Sequence, residues 1–130
     1  MRLLDTNVVI YALKGREPAT SRLRSATPME VGISSVAVYE LEYGTLKVPD
    51  RRRQVALPRL LAQVREIPFD TDAARAAARI RVDLERRGLT IVPLDLLIAG
   101  TALSRGAILV TNNFAEFHRI PGLRLEDWSR

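Results

Sequence analysis

Short apolar segments alternate with helical patterns along the chain, and this alternation constrains the fold more than any other feature of the sequence. The clearest segment, Ala107–Val110, is an unbroken apolar run of the kind that forms a central parallel strand. The other predicted strands are Arg2–Asp5, Val31–Ile33, Glu66–Pro68 and Leu123–Leu125. Because helical segments separate these strands, we predict an α/β sandwich around a mainly parallel, roughly five-stranded sheet.

The segments between the strands carry the signals of helix starts and stops. The strongest helical pattern runs from a cap at Asp70 or Thr71 to Arg87, and Gly88 is its stop signal. The remaining predicted helices are Val8–Lys14, Pro18–Ala26, Val36–Leu46, Asp50–Val64, with Pro58 as a kink or boundary, and Leu94–Ser104.

The length of 130 residues favours a single domain over residues 1–130. Cysteine is absent, which excludes disulfides and cysteine-based metal sites. No apolar run approaches a membrane span, and Asp5 interrupts the first apolar stretch, so we expect a cytoplasmic protein without a signal peptide. The net charge of +5, carried mostly by arginine, favours a nucleic-acid or acidic partner, although a GC-rich genome also produces such a composition.

Asp5 follows an apolar pair and precedes an apolar helical segment. This places it at the carboxyl end of the first strand, the edge at which open α/β sheets bind ligands. An aspartate there also suits a plain helix N-cap. Because Thr6 and Asn7 would cap the helix equally well, we favour the functional interpretation.

Three further polar residues each allow two interpretations. Glu40 falls in or beside the apolar stripe of a helix capped by Ser34 or Ser35, where it either pairs with an arginine or binds a cation. Asp95 occupies the first turn of its helix, a position that favours an anion with or without a function. Asn113 follows a strand and is either a turn residue or a partner of a metal-bound water.

Together, Asp5, Glu40 and Asp95 describe three carboxylates that converge on one end of the sheet. Carboxylate oxygens suit hard cations such as Mg²⁺ and Mn²⁺, and Mg²⁺ prefers one or two carboxylates with waters and substrate phosphates.

The segments around these residues resemble the VapC toxins of type II toxin–antitoxin systems, which are PIN-domain ribonucleases. The resemblance runs essentially end to end, and five motifs in the right order and spacing make it specific. The matching segments are Met1–Asn7, Ile33–Gly44, Asp95–Gly100, Val110–Phe117 and Ile120–Trp128.

This resemblance implies a three-layer α/β/α PIN domain that hydrolyses RNA, such as a tRNA or another structured RNA, with Mg²⁺ or Mn²⁺. It gives the acidic roles to Asp5, Glu40 and Asp95. Asp5 and Asp95 would bind the metal directly, and Glu40 would orient or deprotonate the attacking water or share the metal.

Many PIN domains carry a fourth acid at the position where this chain has Asn113. Either Asn113 acts through water, or Glu116 assists. Thr6 and Thr111 match polar positions that support the site. His118 is the only histidine, which excludes a two-histidine mechanism, and we expect it not to be catalytic.

The resemblance also implies a homodimer and a cognate antitoxin whose C-terminal segment covers the active site. The candidate contact surfaces are Tyr39, Tyr43 and the apolar residues of the predicted helix Asp50–Val64. Arg75, Arg79 and Arg86 are candidates for guiding RNA.

The Arg51–Arg53 cluster shares that candidate role. These arginines would equally suit an acidic antitoxin tail or a solvated helix face.

Three other classes fit the sequence less well. Haloacid-dehalogenase-type phosphatases require a second aspartate where this chain has Asn7, and response-regulator receivers require an acidic pair and a later lysine that it lacks. A non-catalytic PIN-like module would have lost the acids. DNA and flap nucleases of this kind have more acids and are usually longer.

Overall fold

The computed structural model describes residues 1–130. Its strands are β1 (Arg2–Leu4), β2 (Val31–Ser34), β3 (Arg65–Ile67), β4 (Ile108–Val110) and β5 (Arg124–Glu126). Its helices are α1 (Thr6–Leu13), α2 (Ala19–Arg24), α3 (Ser35–Lys47), α4 (Arg51–Leu61), α5 (Thr71–Arg86), α6 (Pro93–Ser104) and α7 (Phe114–Phe117).

The strands form one sheet in the order β3-β2-β1-β4-β5, and every neighbouring pair is parallel. The helices flank this sheet, which confirms the predicted α/β sandwich. The sheet lies within the hydrophobic core, where Leu3, Leu4, Ile33 and Leu109 are fully buried. Burial on both faces explains why the central strands β1 and β4 are mostly apolar.

The strand order reverses between β1 and β4. From β1 the chain builds outward through β2 and β3, then crosses to the opposite side of β1 and adds β4 and β5. Leu4 is in register with Val110, so the residues that follow these two strands, Asp5 and Thr111, lie side by side. Ligands bind α/β sheets at such a switch point, beyond the carboxyl ends of the strands.

Helices α5 and α6 pack closely against each other at Gly100. A Cβ at this glycine would lie 2.7 Å from the Cβ of Ala77 and 2.8 Å from the carbonyl oxygen of Ala73. The two helices are antiparallel, since Pro93 and Leu96 line a cavity with Leu84 and Glu85. The carboxyl end of α5 therefore lies beside the start of α6.

One local prediction was wrong, and one of two alternatives at Pro58 was excluded. The first helix begins at Thr6 instead of Val8, because the Asp5 side chain accepts a hydrogen bond from the Thr6 N–H and caps the helix. Pro58 lies inside α4, which ends at Leu61, and so it is not a helix boundary. No helix in the structure combines the length and the apolar character needed to cross a membrane.

Candidate active site

Asp5 is buried at the switch point, and both of its carboxylate oxygens are held. The Thr6 N–H donates to Oδ1 at 2.8 Å, and the Thr111 hydroxyl donates to Oδ2 at 2.8 Å. Burial raises the pKa of Asp5, while the Thr111 and Thr6 hydrogen bonds lower it and the nearby Glu40 and Glu116 charges raise it further. Asp5 is thus both the helix cap and a fixed carboxylate at the ligand-binding edge.

Glu40 is half-buried on α3, beside a row of buried residues that includes Ala37 and Leu41. Its Oε1 accepts a hydrogen bond of 2.8 Å from the Thr6 hydroxyl. It forms no salt bridge with an arginine, so the interpretation as an arginine-paired boundary residue does not hold. Thr6 therefore links Asp5, through its N–H, to Glu40, through its hydroxyl.

Asp95 lies in the first turn of α6 and has a strongly perturbed carboxyl group. Partial burial is the largest cause, followed by the charges of Asp5 and Glu116, a hydrogen bond with Glu116 and the charge of Glu40. Together they raise the pKa of Asp95 to about 7. Asp5, Glu40 and Glu116 are therefore close enough to Asp95 to raise its pKa.

Glu116 supplies the fourth carboxylate, and the Asn113 side chain holds it. The Asn113 amide nitrogen donates to Oε2 at 2.6 Å, and the Val92 N–H donates to Oε1 at 2.9 Å. The Asn113 N–H also donates to the Thr111 hydroxyl at 3.0 Å. Asn113 thus connects Glu116 with Thr111, the threonine that holds Asp5.

These four carboxylates suit a hard divalent cation. No lysine, arginine or histidine forms a salt bridge with any of them. No three acidic or histidine side chains lie close enough to hold a metal ion together. Mg²⁺ does not require such a group, because it keeps several waters and uses one or two carboxylates with substrate phosphates. An oxygen-only donor set without a basic partner matches that preference.

The structure separates the three arginines that were predicted to guide RNA. Arg86 ends α5 beside the start of α6, the end that carries Asp95. Arg75 and Arg79 line a cavity with Leu103 and Ser104 at the other end of α6.

The predicted RNA role of Arg75, Arg79 and Arg86 stays a prediction. Arg86 alone lies at the active-site end of its helix. His118 is exposed, and its Nδ1 is hydrogen-bonded to the Phe114 carbonyl oxygen.

Known proteins are similar to this chain over nearly its full length. The PIN domain family model matches residues 2–123. The tRNA(fMet)-specific endonuclease VapC of Shigella flexneri is 42% identical over 130 residues, which span 98% of this chain and 97% of that protein. Ribonuclease VapC2 of Rickettsia felis is 37% identical, with 98% of both chains covered.

Solved structures of VapBC complexes are also similar to this chain over nearly its full length. The DNA-bound VapBC from Salmonella typhimurium has a TM-score of 0.90 at 38% identity, covering 98% of this chain and 97% of that one. VapBC2 from Rickettsia felis, bound to a promoter DNA fragment, has a TM-score of 0.87 at 35% identity and covers 98% of each chain.

Proposed function

The chain belongs to the PIN domain family and, within it, to the VapC ribonucleases, and from this premise we propose that it is the toxin of a type II toxin–antitoxin pair. Its activity is the metal-dependent endonucleolytic hydrolysis of RNA by a single PIN domain, residues 1–130, in the cytoplasm. The observation that carries this proposal is the cluster of Asp5, Glu40, Asp95 and Glu116 without a basic partner at the sheet's switch point.

The substrate that we propose is a tRNA or another structured RNA. The Shigella and Salmonella relatives are named as endonucleases specific for tRNA(fMet). Their overall identity of 42% and 38% supports the same class of substrate.

Asp5 and Asp95 are the proposed ligands of one Mg²⁺ or Mn²⁺ ion. A bound cation at this place lowers the pKa of a water and offsets the charge of the scissile phosphate. Thr6 and Thr111 hold the Asp5 carboxylate in one orientation, as partners of metal ligands commonly do. The products should carry 5′-phosphate and 3′-hydroxyl ends.

Glu40 is the proposed residue that orients and deprotonates the attacking water. The Thr6 hydroxyl holds its Oε1 and leaves Oε2 to accept the proton. Asn113 acts as a positioning residue, because its amide holds Glu116 next to Asp95. Glu116 takes the place of the fourth acid that many PIN domains carry.

The antitoxin partner is assigned to a groove between α1, α2 and α4. This groove has a volume of ≈ 450 Å³, and its apolar lining includes Leu13, Leu23 and Leu60. Arg24, Arg52 and Arg59 also line it. An antitoxin segment with apolar and acidic side chains is complementary to such a surface, and the Salmonella and Rickettsia relatives were solved as VapBC complexes.

A second copy of this chain is the proposed partner of the exposed face of α3. Tyr39 and Tyr43 are exposed there and stack with ring centroids 6.4 Å apart. Lys47 lies over the Tyr43 ring, and Leu46 and Val48 are also exposed. A monodisperse monomer in solution would contradict this part of the proposal.

The activity is tested by incubating purified chain with RNA and Mg²⁺ and by mapping the ends of the fragments. Asp5→Asn should abolish cleavage, because the amide cannot supply the same charge to the cation. Asp72→Asn, an exposed change at the remote end of α5, is the matched control. Undiminished cleavage by Asp5→Asn would contradict the role of Asp5 as a metal ligand. Cleavage of DNA in place of RNA would favour a DNA nuclease.

A further inference from the structure

Arg53 on α4 contains the one buried side-chain nitrogen or oxygen in the protein that has no hydrogen-bond partner, its Nε. The guanidinium also forms no salt bridge with a carboxylate. An arginine side chain offers five N–H donors and no acceptor, and leaving a buried donor unpaired costs free energy. The Arg53 guanidinium is therefore a cation that no acceptor of this chain pairs with.

Gly44 on α3 leaves the space that the Arg53 guanidinium fills. A Cβ at Gly44 would lie 3.2 Å from Nη2 and 3.7 Å from Cζ of Arg53. Any side chain at this position would push the guanidinium aside. The placement of Arg53 thus depends on the absence of a side chain on the neighbouring helix.

Arg53 lies along a seam that begins in the active site. The Thr6–Glu40 hydrogen bond joins α1 to α3, and Gly44 follows Glu40 by four residues, slightly more than one helical turn or about 6 Å. Ile10 follows Thr6 by the same interval on α1.

A cavity of ≈ 240 Å³ opens at that point, lined by Ile10, Leu13, Lys14, Asp50, Arg52 and Arg53. The basic side chains of this lining outnumber the acidic one, so the cavity attracts an anion.

We propose that Arg53, together with Lys14 and Arg52, forms a subsite for an RNA backbone phosphate next to the scissile one. This inference rests on the proposed ribonuclease function and adds to it a place where the strand is held. A guanidinium binds two phosphate oxygens at once through its planar fork. The groove assigned to the antitoxin is lined by Arg52 but not by Arg53, which favours RNA over a protein carboxylate as the ligand of Arg53.

The subsite is tested by binding a short fluorescent single-stranded RNA to the Asp5→Asn chain at several salt concentrations. Arg53→Gln in that background should weaken binding on the order of 10-fold and reduce the slope of log Kd against log salt by about 0.7. Arg65→Gln removes the same charge at the amino end of β3, away from the site, and should change neither quantity. Equal effects of the two variants would overturn the subsite.

Gly44→Ala is the second variant, and it leaves every charge in place. It should weaken RNA binding less than Arg53→Gln does, because it only displaces the guanidinium. Its thermal melting curve shows whether the fold is retained. In the chain that keeps Asp5, Arg53→Gln should raise KM for RNA and leave kcat within about 2-fold. Unchanged KM contradicts the subsite.

The outcomes separate this inference from the function on which it rests. If the Asp5→Asn chain binds no RNA and the unaltered chain cleaves none, the ribonuclease proposal fails and the subsite fails with it. If both activities are present and Arg53→Gln binds RNA normally, only the subsite fails. Weakened binding of a polyglutamate peptide with unchanged RNA binding would assign Arg53 to an acidic protein segment and would overturn the proposal.

Discussion

The Thr6 hydroxyl donates a hydrogen bond of 2.8 Å to Oε1 of Glu40, which joins the first residue of α1 to the middle of α3. The backbone N–H of the same threonine donates to Asp5. Thr6 thus sets the distance between two carboxylates that come from different elements. Its contribution to the site is geometric, since it carries no charge.

Replacing Thr6 by valine should lower the rate of RNA cleavage by about 10- to 100-fold, the usual cost of losing a group that orients a ligand. Valine keeps the shape and the N–H donated to Asp5, and it removes only the hydroxyl. Thr6→Ser, which retains the hydroxyl, should stay close to the unaltered chain. The measurement is kcat at saturating RNA and Mg²⁺. A valine variant with normal kcat would show that Glu40 needs no anchor.

Glu40→Gln should reduce cleavage by at least about 100-fold, because an amide cannot accept a proton from water at neutral pH. Glu42→Gln is its matched control: Glu42 lies two residues along the same helix and is exposed. This control should cleave at the normal rate. Thermal melting should show both variants folded. Similar rates for the two variants would remove Glu40 from the mechanism.

The raised pKa of Asp95 predicts how stability depends on pH in the absence of metal. Folding shifts this carboxyl from its ordinary pKa of 3.8 to about 7. The folded state then holds its proton more tightly than the unfolded state, so the free energy of unfolding falls as pH rises from 3.8 to about 7.

Asp95→Asn removes that dependence. In chelator at pH 8 this variant should melt several degrees above the unaltered chain, on the order of 5 °C for a domain of this size, and the difference should vanish near pH 4. Mg²⁺ should raise the melting temperature of the unaltered chain more than that of the variant. A lower melting temperature of Asp95→Asn at pH 8 would contradict the assigned charge repulsion.

Asn113→Ala should raise the Mg²⁺ concentration needed for half-maximal cleavage by roughly 10-fold. The change frees Glu116 from the amide that holds it at 2.6 Å. Asn112→Ala is the control, because the Asn112 side chain makes no hydrogen bond and is about as exposed as that of Asn113. A normal Mg²⁺ requirement for Asn113→Ala would leave this residue without a positioning role.

Local patterns were sufficient for the fold class and for the positions of Asp5, Asp95 and Glu40 on their elements, whereas the roles of Glu40 and Asp95 followed from the resemblance to the VapC toxins. Apolar runs between capped helices predicted the parallel strands, because a strand covered on both faces needs apolar side chains throughout. Asp5 and Asp95 were placed by the ends of their own elements, and Glu40 by its position on an apolar helical stripe. Helix boundaries were less predictable, because the Asp5 carboxylate and the Thr6–Asn7 pair were competing caps for α1.

The sequence by itself determined the strands, most of the helix caps and the acids that follow them, since each depends on residues that are neighbours in the chain. Only the tertiary structure decided that Glu116, held by Asn113 and the Val92 N–H, is the fourth carboxylate. It likewise decided which end of α5 faces Asp95, because that depends on the close antiparallel packing at Gly100. Such relations join residues that are distant in the chain, and packing alone brings them within a few ångströms of each other.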